Sequence, residues 1–265
     1  LNRSEDTRIK GLVTLADKDQ ASLQLRPTIP VFSALRGTIA ITETRLDVQA
    51  RTRVWGHEMT VQGQRGPDGA VRFAARGSVS AEGLKQAHEY PALARLAPHL
   101  TGEAPVTVAV TAGARTEVQV SSTLQGIGAD LPAPLTKVAA AVWPLTVTYR
   151  TEGERGQQDL ILVDMGHSQP LGTQLATALV APPRVRVDLR RDANGSAPTV
   201  TRGLISVVQA PPGQAVALPS LPVSGIAAHW ASPALDLDAW LRVAKTFHES
   251  GQEPGLAGMG DALPE

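Results

Sequence analysis

Apolar and polar residues alternate in short runs along most of this chain. In the clearest run, residues 184–190, Val185, Val187 and Leu189 alternate with arginine and aspartate. A period of two places the apolar side chains on one face of a strand and the polar ones on the other. Turn signals such as the glycines and proline at 66–69 separate successive runs and predict antiparallel hairpins. The pattern therefore predicts a mainly β fold of roughly a dozen strands, with one apolar face.

The stretch from Arg115 to Arg150 interrupts this meander. An alternating run ends before Gly126, a second one begins after Pro144, and Pro132 and Pro134 lie between them. Proline has no backbone N–H to donate to a sheet ladder, so these two residues do not belong in a central strand. The stretch therefore predicts a strand, a rigid proline corner and a second strand.

Two segments have helical rather than strand periodicity. Ser80 is a candidate N-cap and Pro91 a candidate first residue of a second helix, which together predict a helical insertion at about 80–101, ending near Gly102. An apolar stripe, with Asp236 or Asp238 as its candidate N-cap, predicts a closing helix at about 236–248. Residues 249–265 are rich in glycine and proline. We therefore predict one elongated β segment at 1–248, followed by a flexible linker or tail at 249–265.

Charge and cysteine content exclude several classes of protein. The 25 basic and 25 acidic residues give a net charge of zero, which disfavours nucleic acid as a partner. The chain has no cysteine, so disulfides and thiolate metal sites are excluded. No apolar run approaches the roughly 18 residues that span a bilayer. The first residues are typical neither of a signal peptide nor of a natural start, so we expect a piece of a longer protein.

The residues that usually carry catalysis do not cluster in the sequence. The six histidines are scattered without metal-ligand spacing. Asp159 and Asp164 lie five residues apart on a predicted strand, so they are expected on opposite faces, as ordinary turn or surface charges. No nucleophile elbow or phosphate-binding loop is present. We therefore predict a protein that is not an enzyme, with no catalytic residue, metal or cofactor.

Three motifs resemble those of the AsmA-like superfamily, in its YhdP branch. The first comprises Ser122–Ile127, Asp130–Lys137 and Trp143-Pro144-Leu145. The second, Leu221–Ile226 followed by Leu235–Trp240, is similar to a segment that closes a section in those proteins. The third, around residues 91–105, is a weaker match. Together the matches cover roughly half of the chain.

This resemblance implies a long, curved antiparallel β-sheet that forms an open hydrophobic groove, a β-taco, with short helical insertions. It implies a periplasmic segment of an inner-membrane-anchored protein in the Gram-negative cell envelope, which conducts phospholipids between the inner and outer membranes. The implied partners are phospholipid acyl chains and, at the ends of the full-length chain, inner- and outer-membrane proteins. Lys137 is expected to be solvated, with a phosphate headgroup as its alternative partner.

The residues on the apolar faces of the strands are then the candidates for lipid binding. The alternating runs assign ten of them: Val106, Val108, Val110, Val118, Val120, Leu145, Val147, Val185, Val187 and Leu189. Periodicity alone does not distinguish a lipid-lined groove from the core of a closed β-sandwich, and the closed core is the commoner outcome. A sandwich that serves as a scaffold or envelope-assembly module and binds protein partners is therefore the alternative. A carbohydrate-active β enzyme is disfavoured because no carboxylate pair forms a site.

Overall fold

A computed structural model describes residues 10–16, 21–24, 29–113, 115–133, 135–152, 158–165, 184–190, 199–208, 219–231 and 236–249. Three predictions lie outside these residues: a strand or helix at 172–180, a hairpin turn at 192–195 and a strand at 215–218. The predicted tail after residue 249 also lies outside them, so the division at this point stays a prediction.

Fourteen strands make up most of the described chain. They are β1 (Lys10–Leu15), β2 (Ala21–Leu23), β3 (Phe32–Thr42), β4 (Leu46–Val54), β5 (His57–Arg65), β6 (Val71–Ser80), β7 (Leu100–Ala112), β8 (Thr116–Ser122), β9 (Ile127–Ala129), β10 (Leu145–Glu152), β11 (Gln158–Met165), β12 (Arg184–Arg190), β13 (Thr199–Val208) and β14 (Gly225–Ala231). The helices are α1 (Ala81–Leu84), α2 (Pro91–Leu96) and α3 (Leu237–Glu249), and a 3-10 turn follows α2 at Ala97–His99.

All fourteen strands belong to one sheet that does not close on itself. Its main path is β1-β3-β4-β5-β6-β7-β8-β10-β11-β12-β13-β14, while β2 pairs with β3 and β9 with β7. The pairs are antiparallel except for β13 with β14, which is parallel. The predicted large open antiparallel sheet with few short helices is confirmed. Within the described residues the strands do not form the two packed sheets of a sandwich.

The strand register aligns residues of similar polarity across the whole sheet. Following the paired residues from β1 to β14 gives a row of apolar residues and glycine, here called row I. Its members are Leu15, Gly37, Ala50, Val61, Ala75, Val108, Val120, Val147, Val163, Val185, Ile205 and Ala228. The parallel row II consists of Val13, Ile39, Val48, Gly63, Phe73, Val110, Val118, Tyr149, Ile161, Val187, Gly203 and Ile226. We call the side that bears both rows the apolar face, and the other side the polar face.

The two ends of the strands differ. At one end, the hairpin end, the described connections are the short turns at 43–45, 66–70 and 113–115. The opposite end, the loop end, carries the segment with both short helices at 81–99 and the proline corner at 123–144. Among the described connections, the longer ones thus lie at the loop end of the sheet.

The short helices begin where the sequence places them but end earlier. Ser80 caps α1, since its Oγ accepts a hydrogen bond from the Gly83 N–H at 3.0 Å. The same Oγ lies 2.6 Å from His57 Nε2, which ties the cap to β5. The expectation that the second helix continues to Gly102 is wrong, because residues 100–102 already pair with β9. Backbone pairing outside the helix outcompetes the helical periodicity there.

Gly102 shows how tightly the proline corner approaches β7. Its φ is +83°, and a Cβ at this position would lie 2.0 Å from the Gly126 carbonyl oxygen. We expect Gly102→Ala to lower the free energy of unfolding by about 2 kcal/mol, because backbone strain and a backbone clash add. Gly56→Ala is the control: its φ is +84°, with open space around the position. Urea unfolding should give the control a loss of about 1 kcal/mol; equal losses would show that the close approach is unimportant.

Candidate functional site

Seven of the ten predicted lining residues form one patch at the middle of the apolar face. Val108, Val120 and Val147 are direct neighbours in row I. Val110 pairs with Val118 in row II on one side of them. Val106 and Leu145 flank Ser122 on the other side. The register therefore brings together residues of β7, β8 and β10, although the proline corner separates β8 from β10 in sequence.

The remaining three predicted residues lie further along the sheet on β12. Val185 and Val187 continue rows I and II, and they reach the central patch through Val163 and Ile161 of β11. Leu189 lies beyond row II, opposite Asp159 and next to a β-bulge, and it is buried. The apolar face thus extends past the central patch.

Sequence reasoning missed the two residues of β11 that connect these groups. Residues 160–163 are Leu, Ile, Leu and Val, so no alternation shows which of them share a face. Pairing with Tyr149 and Val147 places Ile161 and Val163 on the apolar face. Alternation on β4, β5 and β6 was visible in the sequence, and the register now adds Val48, Val61 and Phe73 to the same face.

The apolar face has no second layer of described protein over its middle. Its valines in the central patch are all half-buried, and Ile205 and Ile226 near β14 are 39% and 62% exposed. Most of the buried apolar side chains lie towards the loop end, where short helices and the proline corner supply contacts. Examples are Val54, Met59, Ala81, Ala87, Ala97, Ala104 and Ile127. A continuous apolar surface therefore stays accessible across the sheet.

At the hairpin end some side chains of the apolar face are polar, while Ile41 and Leu189 keep it apolar at β3 and β12. The next row, here called the rim row, contains Arg65, Thr116, Thr151 and Asp159 alongside Val71 and Ala112. The Thr116 N–H donates to Thr151 Oγ1 at 3.0 Å. Asp159 is 2% exposed, so the expectation of a surface charge is wrong, although Asp159 and Asp164 do lie on opposite faces. The rim row marks one border of the apolar face.

The polar face is covered by cross-strand ion pairs. Arg150 Nε lies 3.0 Å from Glu117 Oε2, and Arg184 Nε lies 3.2 Å from Asp164 Oδ1. Exposed pairs of this kind add little stability, about 0–1 kcal/mol each. They keep much of this face hydrated, although Leu160, Leu162 and Leu204 lie on it as well.

Lys137 is neither solvated nor placed to meet a headgroup, so both expectations for it are wrong. Its side chain is buried, and Nζ donates to the carbonyl oxygens of Leu124 at 2.8 Å, Ile127 at 2.6 Å and Val138 at 3.3 Å. Burial lowers the pKa of Lys137. The carbonyls favour the ammonium form, which has three N–H donors where a neutral amine has two. Lys137 therefore fastens the proline corner from inside.

α3 connects the last strand to the proline corner. Asp236 caps it, accepting from the Ala239 N–H at 2.9 Å. The Trp240 ring packs edge-on against Trp230 of β14, with 5.5 Å between ring centroids. Its indole N–H donates to the Ala133 carbonyl oxygen at 3.0 Å. The loop end of the apolar face is thus bordered by α3 and the corner, while Leu237 and Leu241 remain exposed.

Among the described residues, no group of three or more His, Asp or Glu side chains is arranged to hold a metal ion. The described helices include none that is long and apolar enough to cross a membrane. The geometry therefore points to the apolar face as the candidate site.

A comparison with protein families agrees with the resemblance that the sequence motifs in and near the proline corner indicate. The family model described as YhdP protein matches residues 1–263. The chain belongs to the YhdP family. This family is associated with lipid transport and the cell envelope and is not known for enzymes. Comparison with curated proteins and with solved structures returns no match.

Proposed function

We propose that this YhdP-family chain conducts phospholipids along the apolar face of its sheet. The acyl chains lie on rows I and II, within the periplasmic segment of a protein anchored in the inner membrane, and the lipids move between inner and outer membranes. The observation that supports this is the continuity of the two rows through the twelve strands of the main path. At a spacing of about 4.8 Å per strand, each row is about 50 Å long.

Hydrophobic transfer explains why such a surface serves transport. Each methylene group that leaves water gains about 0.8 kcal/mol, so an apolar track offsets most of the cost of taking a lipid out of a bilayer. Valine, alanine and isoleucine contact acyl chains without directional bonds. The contacts are therefore similar at every strand, and a lipid can pass from one position to the next without a deep trap. No catalytic residue is needed for this movement.

Native mass spectrometry of the purified chain after mild detergent removal tests the proposal. We expect phospholipid to be retained, because the accessible apolar face binds acyl chains. A chain that never carries lipid, even after incubation with phospholipid vesicles, would contradict the proposal. That outcome would favour a scaffold or envelope-assembly module whose apolar face is covered by a protein partner.

A further inference from the structure

Arg65 is the cationic residue of the rim row. It ends β5 and pairs with Val71 at the start of β6, two residues beyond row II. Its side chain is exposed, and by strand parity it belongs to the same face as Gly63 and Val61. A full positive charge therefore borders the apolar face directly.

Two hydrogen bonds hold the Arg65 side chain between two neighbouring turns. Nη1 donates to the Glu43 carbonyl oxygen and Nε to the Gly69 carbonyl oxygen, both at 3.4 Å. These are long bonds to main-chain acceptors, so they orient the guanidinium without neutralising it. Further N–H donors of the fork remain available to a ligand.

The described carboxylates leave this charge uncompensated. No salt bridge joins Arg65 to a described acidic residue. Asp68, in the adjacent turn, is held by Arg72, whose guanidinium lowers the pKa of the Asp68 carboxyl. Asp68 also accepts from the Ala70 N–H at 3.2 Å. The Asp68 carboxylate is thus already paired with Arg72, and the Arg65 guanidinium can bind an external anion.

We propose that a phospholipid on the apolar face binds with its phosphate diester at the hairpin end, against the Arg65 guanidinium. This inference rests on the proposed function. The planar fork of arginine matches phosphate oxygens, and such charge-assisted bonds are among the stronger hydrogen bonds. With the headgroup at the rim row, the acyl chains extend over rows I and II towards the loop end.

A free phosphate ester offers the same oxyanion as a phospholipid headgroup, so the test includes both ligands. The detergent-free chain is incubated with vesicles of phosphatidylglycerol, with diacylglycerol of the same acyl chains, or with glycerol phosphate. Retained ligand is then counted by native mass spectrometry. The variants are Arg65→Gln and, as a matched control, Arg76→Gln, which removes an exposed arginine from the polar face of β6.

We expect Arg65→Gln to reduce retained phosphatidylglycerol about fivefold, as for one exposed charge-assisted hydrogen bond. Retention of diacylglycerol should be unchanged, and Arg76→Gln should change neither. Equal losses in both variants would overturn the inference, because the effect would then be general electrostatics. A loss of diacylglycerol would overturn it as well, by showing damage to the apolar face.

Binding of glycerol phosphate that is as strong as that of the lipid and depends on Arg65 would identify a free phosphate ester as the ligand, and would also overturn the inference. Failure of the proposed function looks different. In that case the wild-type chain retains neither phosphatidylglycerol nor diacylglycerol, whatever residue stands at position 65.

Discussion

Replacing Val120 or Val147 with aspartate should abolish lipid retention by this chain. The two valines are direct neighbours at the centre of row I, where a bound acyl chain must cross. A carboxylate there would lose its water when lipid covers it, and an unpaired buried charge is far more costly than the gain from a few methylene groups. Both valines are only half-buried, so without lipid the carboxylate stays hydrated and the sheet should still fold.

Thr148→Asp is the matched control for these variants. Thr148 adjoins Val147 on β10 but pairs with Gln119 on the polar face. Native mass spectrometry should show retained phospholipid in Thr148→Asp and none in Val120→Asp or Val147→Asp. Circular dichroism melting of all three checks that the fold is intact. Equal lipid retention in the three folded variants would exclude the apolar face as the lipid path.

Lys137→Met should be the most destabilising single change in the proline corner. Methionine preserves the length of the side chain but removes the ammonium, so the carbonyl oxygens of Leu124 and Ile127 lose a buried donor. The Leu124 oxygen keeps a second donor, the Ile127 N–H at 3.2 Å. We therefore expect a loss of about 3 kcal/mol, as for one buried hydrogen bond to a charged group. Urea unfolding measures this as a lower midpoint at unchanged slope.

Lys85→Met provides the comparison for the loss of a lysine charge. Lys85 is exposed and pairs with Glu82 three residues earlier on α1. Its replacement should change the unfolding free energy by less than about 0.5 kcal/mol. If both variants unfolded at the same urea concentration, the three carbonyl contacts of Lys137 would have no role in stability. Because Trp240 bonds to the corner at Ala133, Lys137→Met should also loosen α3, which Trp fluorescence can follow.

Local sequence patterns predicted those parts of the fold that depend on neighbouring residues. Alternation on β12 correctly placed Val185 and Val187 on one face, and the predicted break in the meander around Pro132 does lie between β8 and β10. Of the two aspartates expected as the cap of the last helix, Asp236 and Asp238, Asp236 caps it. The first motif pointed to the YhdP family that the family model now shows.

Errors arose where distant contacts override the local pattern. Lys137 looked like a surface lysine because nothing in the adjacent sequence reveals the three carbonyl oxygens that surround it. Asp159 was correctly assigned to the face opposite Asp164, but its burial depends on neighbouring strands. The helix around Leu96 was extended too far because β9, the partner of residues 100–102, was not recognised as a strand.

The sequence by itself determined that the strands have two unlike faces, that a proline corner divides them and that short helices flank them. Each of these features follows from the period of side-chain direction or from the conformational limits of proline, which act over a few residues. Only the tertiary structure decided that the apolar faces align in two unbroken rows, and that Arg65 lies at their border. Register is a relation between strands, so the period of side-chain direction along one strand does not contain it.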